Sequence, residues 1–204
     1  MALIKDAKGR RDNETPSGYE RLFGNSQLGK LISKVQSAVI STGNELENVI
    51  ASKIIDPKGV SIQNINKEKR IFEGVKQGHK IVIDCVIEKD NKICLIEIKD
   101  GDTFDTKKVA GELESLKLVK QYLIKKGLLE KNIEIKFCSF NAINHEQIEK
   151  GAKGLLDKSM AMTGKELCEL LGLDFNKIVE ERKINQKENL EYLKQEMKKI
   201  KELN

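Results

Sequence analysis

Asp84 stands in the middle of an apolar run, Ile81 to Ile87 (IVIDCVI), and Glu97 and Lys99 close a second one that begins at Ile93 (ICLIEIK). An unpaired carboxylate buried in such a run costs several kcal/mol, so these positions demand a chemical reason. Side chains two apart on a strand share a face, which sets Glu97 beside Lys99. The polar EKDNK between the runs reads as a hairpin turn, and its length decides where Asp84 lies. A two-residue turn at Asp90-Asn91, or a four-residue loop from Lys89 to Lys92, puts Asp84 opposite Glu97. A five-residue loop from Glu88 to Lys92 sends Asp84 to the other face. In the first register the two carboxylates have Cβ atoms roughly 4.5–5.5 Å apart and repel each other. A divalent cation would relieve that repulsion. Hard oxygen ligands with room for water suit Mg²⁺ or Mn²⁺, and substrate phosphate would complete the shell. The backbone carbonyl of Ile98 is a further candidate ligand. Lys99 could then orient an attacking water and stabilise charge developing on phosphorus oxygens. That is the chemistry of phosphodiester hydrolysis.

The surrounding elements must hold these groups in place. Both runs are rich in β-branched residues and read as one hairpin with strands buried on both faces. Apolar residues from Gln27 to Ile54 recur at helical spacing, with Gly43 as an expected break between two helices. After the hairpin comes the polar loop DGDTFDTKK, then a helical face of Val109, Leu113, Leu116, Val119 and Leu123. Asp105 is placed to cap that helix and Gly127 to end it. Ile133 to Phe140 reads as a third core strand, and strand–helix–strand order favours a right-handed crossover with parallel pairing. Thr163 and Glu166 have capping-box spacing, and Phe175 onward is nearly free of helix breakers. Leu190, Leu193, Met197 and Ile200 follow 3-4-3 spacing, fitting an amphipathic helix docked on its own domain or, as the alternative, a dimer contact. The expected architecture is α/β, a mixed central sheet flanked by helices, in a single domain. Residues 1–26 form a loop or arm, 27–142 the catalytic core and 143–204 a helical C-terminal region.

Composition narrows the class. The chain has 204 residues, 37 Lys and Arg against 32 Asp and Glu, and a formal charge of +5. This mild excess permits a polyanionic partner without requiring one. No apolar run is long enough to span a membrane, and the N-terminus lacks a secretory signal. Cys85, Cys94, Cys138 and Cys168 are scattered, with neither metal-ligand spacing nor an iron–sulfur set. A folded cytoplasmic protein is expected. His79 and His145 have no partner at readable spacing, which argues against a catalytic histidine.

Asp84, twelve intervening residues, then Glu97-Ile98-Lys99 resembles the signature of the PD-(D/E)xK nuclease superfamily, with Ile83 in place of the usual proline. The order of helix, hairpin, helix and strand across residues 40–142 is similar to that family's core. Gly43-Asn44-Glu45-Leu46-Glu47 resembles its G-x-x-L-E helix element, which implies a metal-site role for Glu47, through water or a second ion; the alternative is a solvated glutamate. The segment after Lys99 resembles type II restriction endonucleases, and there Lys107 and Lys108 would neutralise DNA phosphates. The resemblance implies a restriction-endonuclease-like core and a Mg²⁺-dependent type II restriction endonuclease. Such an enzyme cuts double-stranded DNA at a short site and leaves 5′-phosphates. It implies Asp84, Glu97, Ile98 and Glu47 at the metal, Mn²⁺ as a substitute, a homodimer matching a palindrome, and a cognate DNA methyltransferase. The alternatives are a structure-specific repair or recombination nuclease and, further behind, a non-catalytic nucleic-acid-binding module. Base contacts would come from Gly9 to Gly24 or from the segment after Phe140.

Overall fold

A computed structural model of the chain describes residues 1–9, 16–101 and 104–200. Arg10 to Thr15 of the expected arm, and Asp102 and Thr103 of the loop after Lys99, lie outside the described residues. The chain divides into two compact units: one built from both chain ends, Met1–Leu46 with the segment from Asn176 onward, and one spanning Glu47–Phe175. No helix among the described residues is long and apolar enough to cross a membrane.

In the first unit, Gly18–Phe23 forms α1, which corrects the reading of residues 1–26 as an arm. Ser17 accepts the Glu20 amide while the Glu20 side chain accepts the Ser17 amide. This capping box satisfies two of the free donors at the helix start and outweighs the helix-opposing Gly18. Helix α2, Ser26–Lys53, runs uninterrupted through Gly43, so the expected pair of helices is one. A glycine inside a helix costs only about 1 kcal/mol, less than the loss of a helical stretch that buries Leu31, Ala38, Leu46 and Ile50. The C-terminal helix is in turn interrupted after Lys183, giving α6 (Phe175–Lys183) and α7 (Gln186–Lys198). On α7 the docked residues are Asn189, which bonds Ile4 N and Ala2 O, and Tyr192, packed with Ala2, Ile4 and Ala38. Leu190 and Met197 of the expected stripe are exposed, whereas Ile200 is buried.

The second unit carries a five-stranded mixed sheet in the order β1-β4-β5-β6-β7: β1 Val60–Ser61, β4 Cys85–Lys89, β5 Lys92–Lys99, β6 Ile133–Ser139 and β7 Ala161–Thr163. The first three strands are antiparallel neighbours; β6 runs parallel to β5, and β7 to β6. A separate ribbon pairs β2 (Ile71–Lys76) with β3 (His79–Val82). The expected single strand from Ile81 to Ile87 is therefore two strands in two sheets, with a bend at Ile83-Asp84. A continuous apolar run gives no periodic signal that could mark such a bend. The hairpin turn is Asp90-Asn91, both at positive φ (51° and 61°), and Lys89 pairs with Lys92. That is the two-residue turn that puts Asp84 level with Glu97.

Helix α3, Thr106–Lys125, covers one face of this sheet. Leu116 and Val119 pack with Val86, Leu95 and Ile133, while Val109 and Leu113 pack with Phe137 and Phe104. Asp105 caps α3 by accepting the amides of Lys107 and Lys108 at 2.9 and 3.3 Å. Phe104 meets Phe137 edge-on with ring centroids 5.3 Å apart. Below the crossover, α4 (His145–Gly151) and α5 (Gly164–Leu171) flank β7, and Thr163 and Glu166 close the expected capping box.

Two glycines separate backbone requirement from mere tolerance. Gly59 has φ +74°, and a Cβ there would lie 2.1 Å from the Glu88 carbonyl, whereas a Cβ at Gly43 meets nothing within 4 Å. Gly43→Ala is expected to raise unfolding free energy by about 0.5–1 kcal/mol. Gly59→Ala is expected to lower it by about 1–3 kcal/mol from backbone strain alone. Urea denaturation of both variants measures the contrast.

Candidate active site

The end of β5 and the bend before β4 bring the signature residues together. Strand alternation puts Glu97 and Lys99 on the face that α3 covers, beside Phe137 and Ser139 of β6. Asp84 leaves the bend with its carboxylate on the neighbouring strand: Oδ2 accepts the Ile98 amide at 2.9 Å. Lys99 Nζ lies 2.6 Å from Glu97 Oε1 and 2.8 Å from Glu112 Oε1 on α3. Glu97 is buried and the Lys99 side chain is 21% exposed, so these contacts are made largely out of water.

Glu47 on α2 faces the same group. Its Oε2 lies 3.2 Å from Arg70 Nη1, and that nitrogen also donates to the carbonyls of Ile83 and Asp84, at 3.2 and 3.1 Å. Glu45, two residues earlier, instead lies near the chain's amino terminus. Burial first, then the nearby Asp84 charge, pushes the Glu47 carboxyl up to about 7, against the opposing pull of Arg70. The same two causes push Glu97 up to about 8, against Lys99. Burial disfavours the Lys99 charge, yet Glu97 and Glu112 outweigh it and hold its pKa above the ordinary lysine value.

Asp84, Glu97, Lys99 and Glu47 thus converge, and Ile98 takes part through its amide. Lys107 and Lys108 are exposed on the first turn of α3, with Lys108 Nζ 4.0 Å from Glu112. His145 bonds Glu166 at 2.8 Å, the glutamate of the α5 capping box, and so belongs to the scaffold. Two participants were not apparent in the sequence. Glu112 falls three residues after Val109 and four before Leu116, so a charge on the apolar face of α3 was its available signal. Arg70 ends the polar stretch Lys67-Glu68-Lys69-Arg70 and carried none.

The donor set suits a hard cation held by a few protein oxygens. Among the described residues no three His, Cys, Asp or Glu side chains close into a metal cage. Mg²⁺ does not need one, since it is commonly held by one or two carboxylates together with waters and phosphate oxygens. Asp84 and Glu97 could supply those carboxylates, and of the two causes that raise Glu47 and Glu97, burial first and the Asp84 charge second, the second is one that a cation would offset.

A mixed α/β sheet flanked by helices, with paired antiparallel strands leading through a helical crossover to a parallel one, is a restriction-endonuclease-like core. No protein-family model matches the chain. In sequence it is 37% identical to the type II restriction enzyme HhaII of Haemophilus parahaemolyticus, over 100% of this chain and 96% of that protein. The chain belongs to this type II restriction enzyme family.

Glu47 and Glu97 hold their protons more tightly folded than unfolded, where a glutamate titrates near 4.5. Their contribution is fully present below about pH 4.5 and is lost as pH rises through about 7 and 8. In chelator, the denaturation midpoint is expected to fall across that window, and Glu97→Gln is expected to flatten the decline.

Proposed function

We propose that the chain is a Mg²⁺-dependent endonuclease of the PD-(D/E)xK superfamily that cuts both strands of duplex DNA at a short specific sequence and leaves 5′-phosphates. The observation that carries this reading is the meeting of Asp84, Glu97 and Lys99 at one sheet end, in a chain aligned along its length with a type II restriction enzyme. Asp84 and Glu97 would hold the cation, with the Ile98 carbonyl as a further ligand and Glu47 acting through water. Mg²⁺, or Mn²⁺ in its place, would supply Lewis-acid charge neutralisation at the scissile phosphate.

The lysine has the complementary task. An ammonium has three hydrogens, and Glu97 and Glu112 take two of them. The third is free to meet the attacking water or a non-bridging phosphate oxygen and to stabilise charge building there. Attack in line forms the new P–O bond as the bond to the 3′ oxygen breaks, and that oxygen leaves with a proton as the 3′ hydroxyl. Lys107 and Lys108 on the exposed first turn of α3 would bind backbone phosphates. A homodimer would match a two-fold recognition site, and a cognate DNA methyltransferase would protect the host's own copies. The reading places the enzyme in the cytoplasm.

Purified protein with phage DNA of known sequence should give discrete bands in Mg²⁺ and none in chelator. Asp84→Ala and Lys99→Ala should each lose roughly 10²–10³-fold in cleavage rate or more. Intact duplex in both Mg²⁺ and Mn²⁺ would overturn this reading and turn attention to branched or mismatched DNA. In a separate measurement, the Lys107→Ala/Lys108→Ala double variant should still cut the same site. Its DNA affinity should depend less steeply on salt, the slope falling by about 0.9 for each phosphate that the removed lysines had neutralised.

A further inference from the structure

Arg70 lies at the junction of three elements. Lys67, Glu68 and Lys69 before it are exposed, whereas its own side chain is 11% exposed and turned inward. It follows directly on the stretch that leads into β2, and its carbonyl accepts the Ile83 amide at 3.0 Å, extending the β2–β3 pairing by one rung past Ile71 and Val82. The guanidinium then crosses to the bend. Nη1 donates to the carbonyls of Ile83 and Asp84 at 3.2 and 3.1 Å and to Glu47 Oε2 at 3.2 Å, while Nη2 donates to Gln63 Oε1. One planar group thereby ties α2, the segment after β1, and the turn that presents Asp84.

We infer that Arg70 is a positioning residue for the nuclease site: it fastens the Ile83-Asp84 bend and Glu47 so that the Asp84 carboxylate reaches the Ile98 amide. The inference rests on the nuclease reading above. Past the Arg70–Ile83 rung the chain passes from one sheet to the other, Asp84 lies in neither ladder, and the course of that bend is set by what holds the Ile83 and Asp84 carbonyls. Arg70 takes the Asp84 carbonyl and leaves its carboxylate to Ile98, so the aspartate is located without its charge being neutralised by direct pairing. The same guanidinium pairs with Glu47, which keeps a second, half-buried carboxylate near Asp84 at lower electrostatic cost. A lysine could supply the charge. It could not reproduce a planar fork reaching Gln63 from one nitrogen and the bend from the other.

Wild type, Arg70→Ala, Arg70→Lys and the exposed control Lys69→Ala are compared by three readouts. These are kcat and KM in Mg²⁺ on an oligonucleotide duplex carrying the mapped site, DNA affinity in chelator, and amide hydrogen exchange by NMR. Arg70→Ala should lose at least a hundredfold in kcat while DNA affinity changes less than threefold, and the Ile98 amide should exchange at least tenfold faster with α3 unchanged. Arg70→Lys should remain at least tenfold below wild type in kcat, and Lys69→Ala should match wild type. Cleavage within twofold of wild type by either Arg70 variant, or unaltered Ile98 exchange, overturns the inference. Should Arg70→Ala lose protection throughout the chain, Arg70→Lys decides by the same criteria. If wild type cuts no duplex in either metal, the nuclease reading fails on its own, and Ile98 exchange still judges whether Arg70 fastens the bend.

Discussion

The hydrogen bond from the Ile98 amide to the Asp84 carboxylate joins the bend between the two sheets to the end of β5, and the site is organised around it. Asp84's chain neighbours Ile83 and Cys85 are buried, so the acidic side chain between them is held at the edge of an apolar layer and needs a donor there. The amide fixes the aspartate through a neutral donor, so its charge remains on the site. Around it stand Glu47, Glu97 and Glu112, balanced by Lys99 and Arg70: four carboxylates with Asp84 included, against two cations. Shelter from water first, and the nearby Asp84 charge second, make the Glu47 and Glu97 carboxyls retain protons to unusually high pH.

Such a cluster survives only if the scaffold cannot relax away from it. Helix α3 is pinned at its start by the Asp105 cap and by Phe104 against Phe137, and along its length by Leu116 and Val119 against β4, β5 and β6. That seating carries Glu112 to Lys99. Asp100 and Gly101, directly after β5, are held as well, because Ser139 Oγ donates to the Gly101 carbonyl and Asn141 to Asp100. The rigid layer is apolar and the polar site occupies its rim, where the central strands end.

Much of this was legible because short-range rules govern it. Period-two alternation put Glu97 beside Lys99, and the Asp90-Asn91 turn fixed the register that brings Asp84 level with Glu97. The Asp105 cap and the Thr163–Glu166 box follow from local donor geometry. The Ser17–Glu20 box obeys the same rule, but Pro16 and Gly18 beside it read as breakers. The division of Ile81 to Ile87 between two sheets was hidden because every residue there except Asp84 is apolar, leaving no phase to detect. Arg70 was hidden for another reason: its partners are dispersed along the chain at Glu47, Gln63, Ile83 and Asp84, and no local pattern distinguishes it from the lysines preceding it.

The charge excess also bears on how substrate enters. On the proposed reading, a scissile phosphate brings further negative charge to a cluster whose carboxylates already outnumber its cations, so DNA and the bare site oppose each other at close range. Lysines on the exposed first turn of α3 can attract the duplex from a distance without altering that local balance. A divalent cation held by Asp84 and Glu97 would offset that close-range repulsion. On that reading, distant attraction and local repulsion would separate binding from cutting: surface lysines would hold the duplex at any cation level, while the reacting phosphate would settle beside Lys99 only with Asp84 and Glu97 neutralised. Proton uptake by Glu47 and Glu97 would lessen the same repulsion, but it would also consume the carboxylates proposed to hold the cation. On the proposed reading, cleavage would therefore be favoured at a pH where the cation, rather than the proton, occupies the acidic cluster.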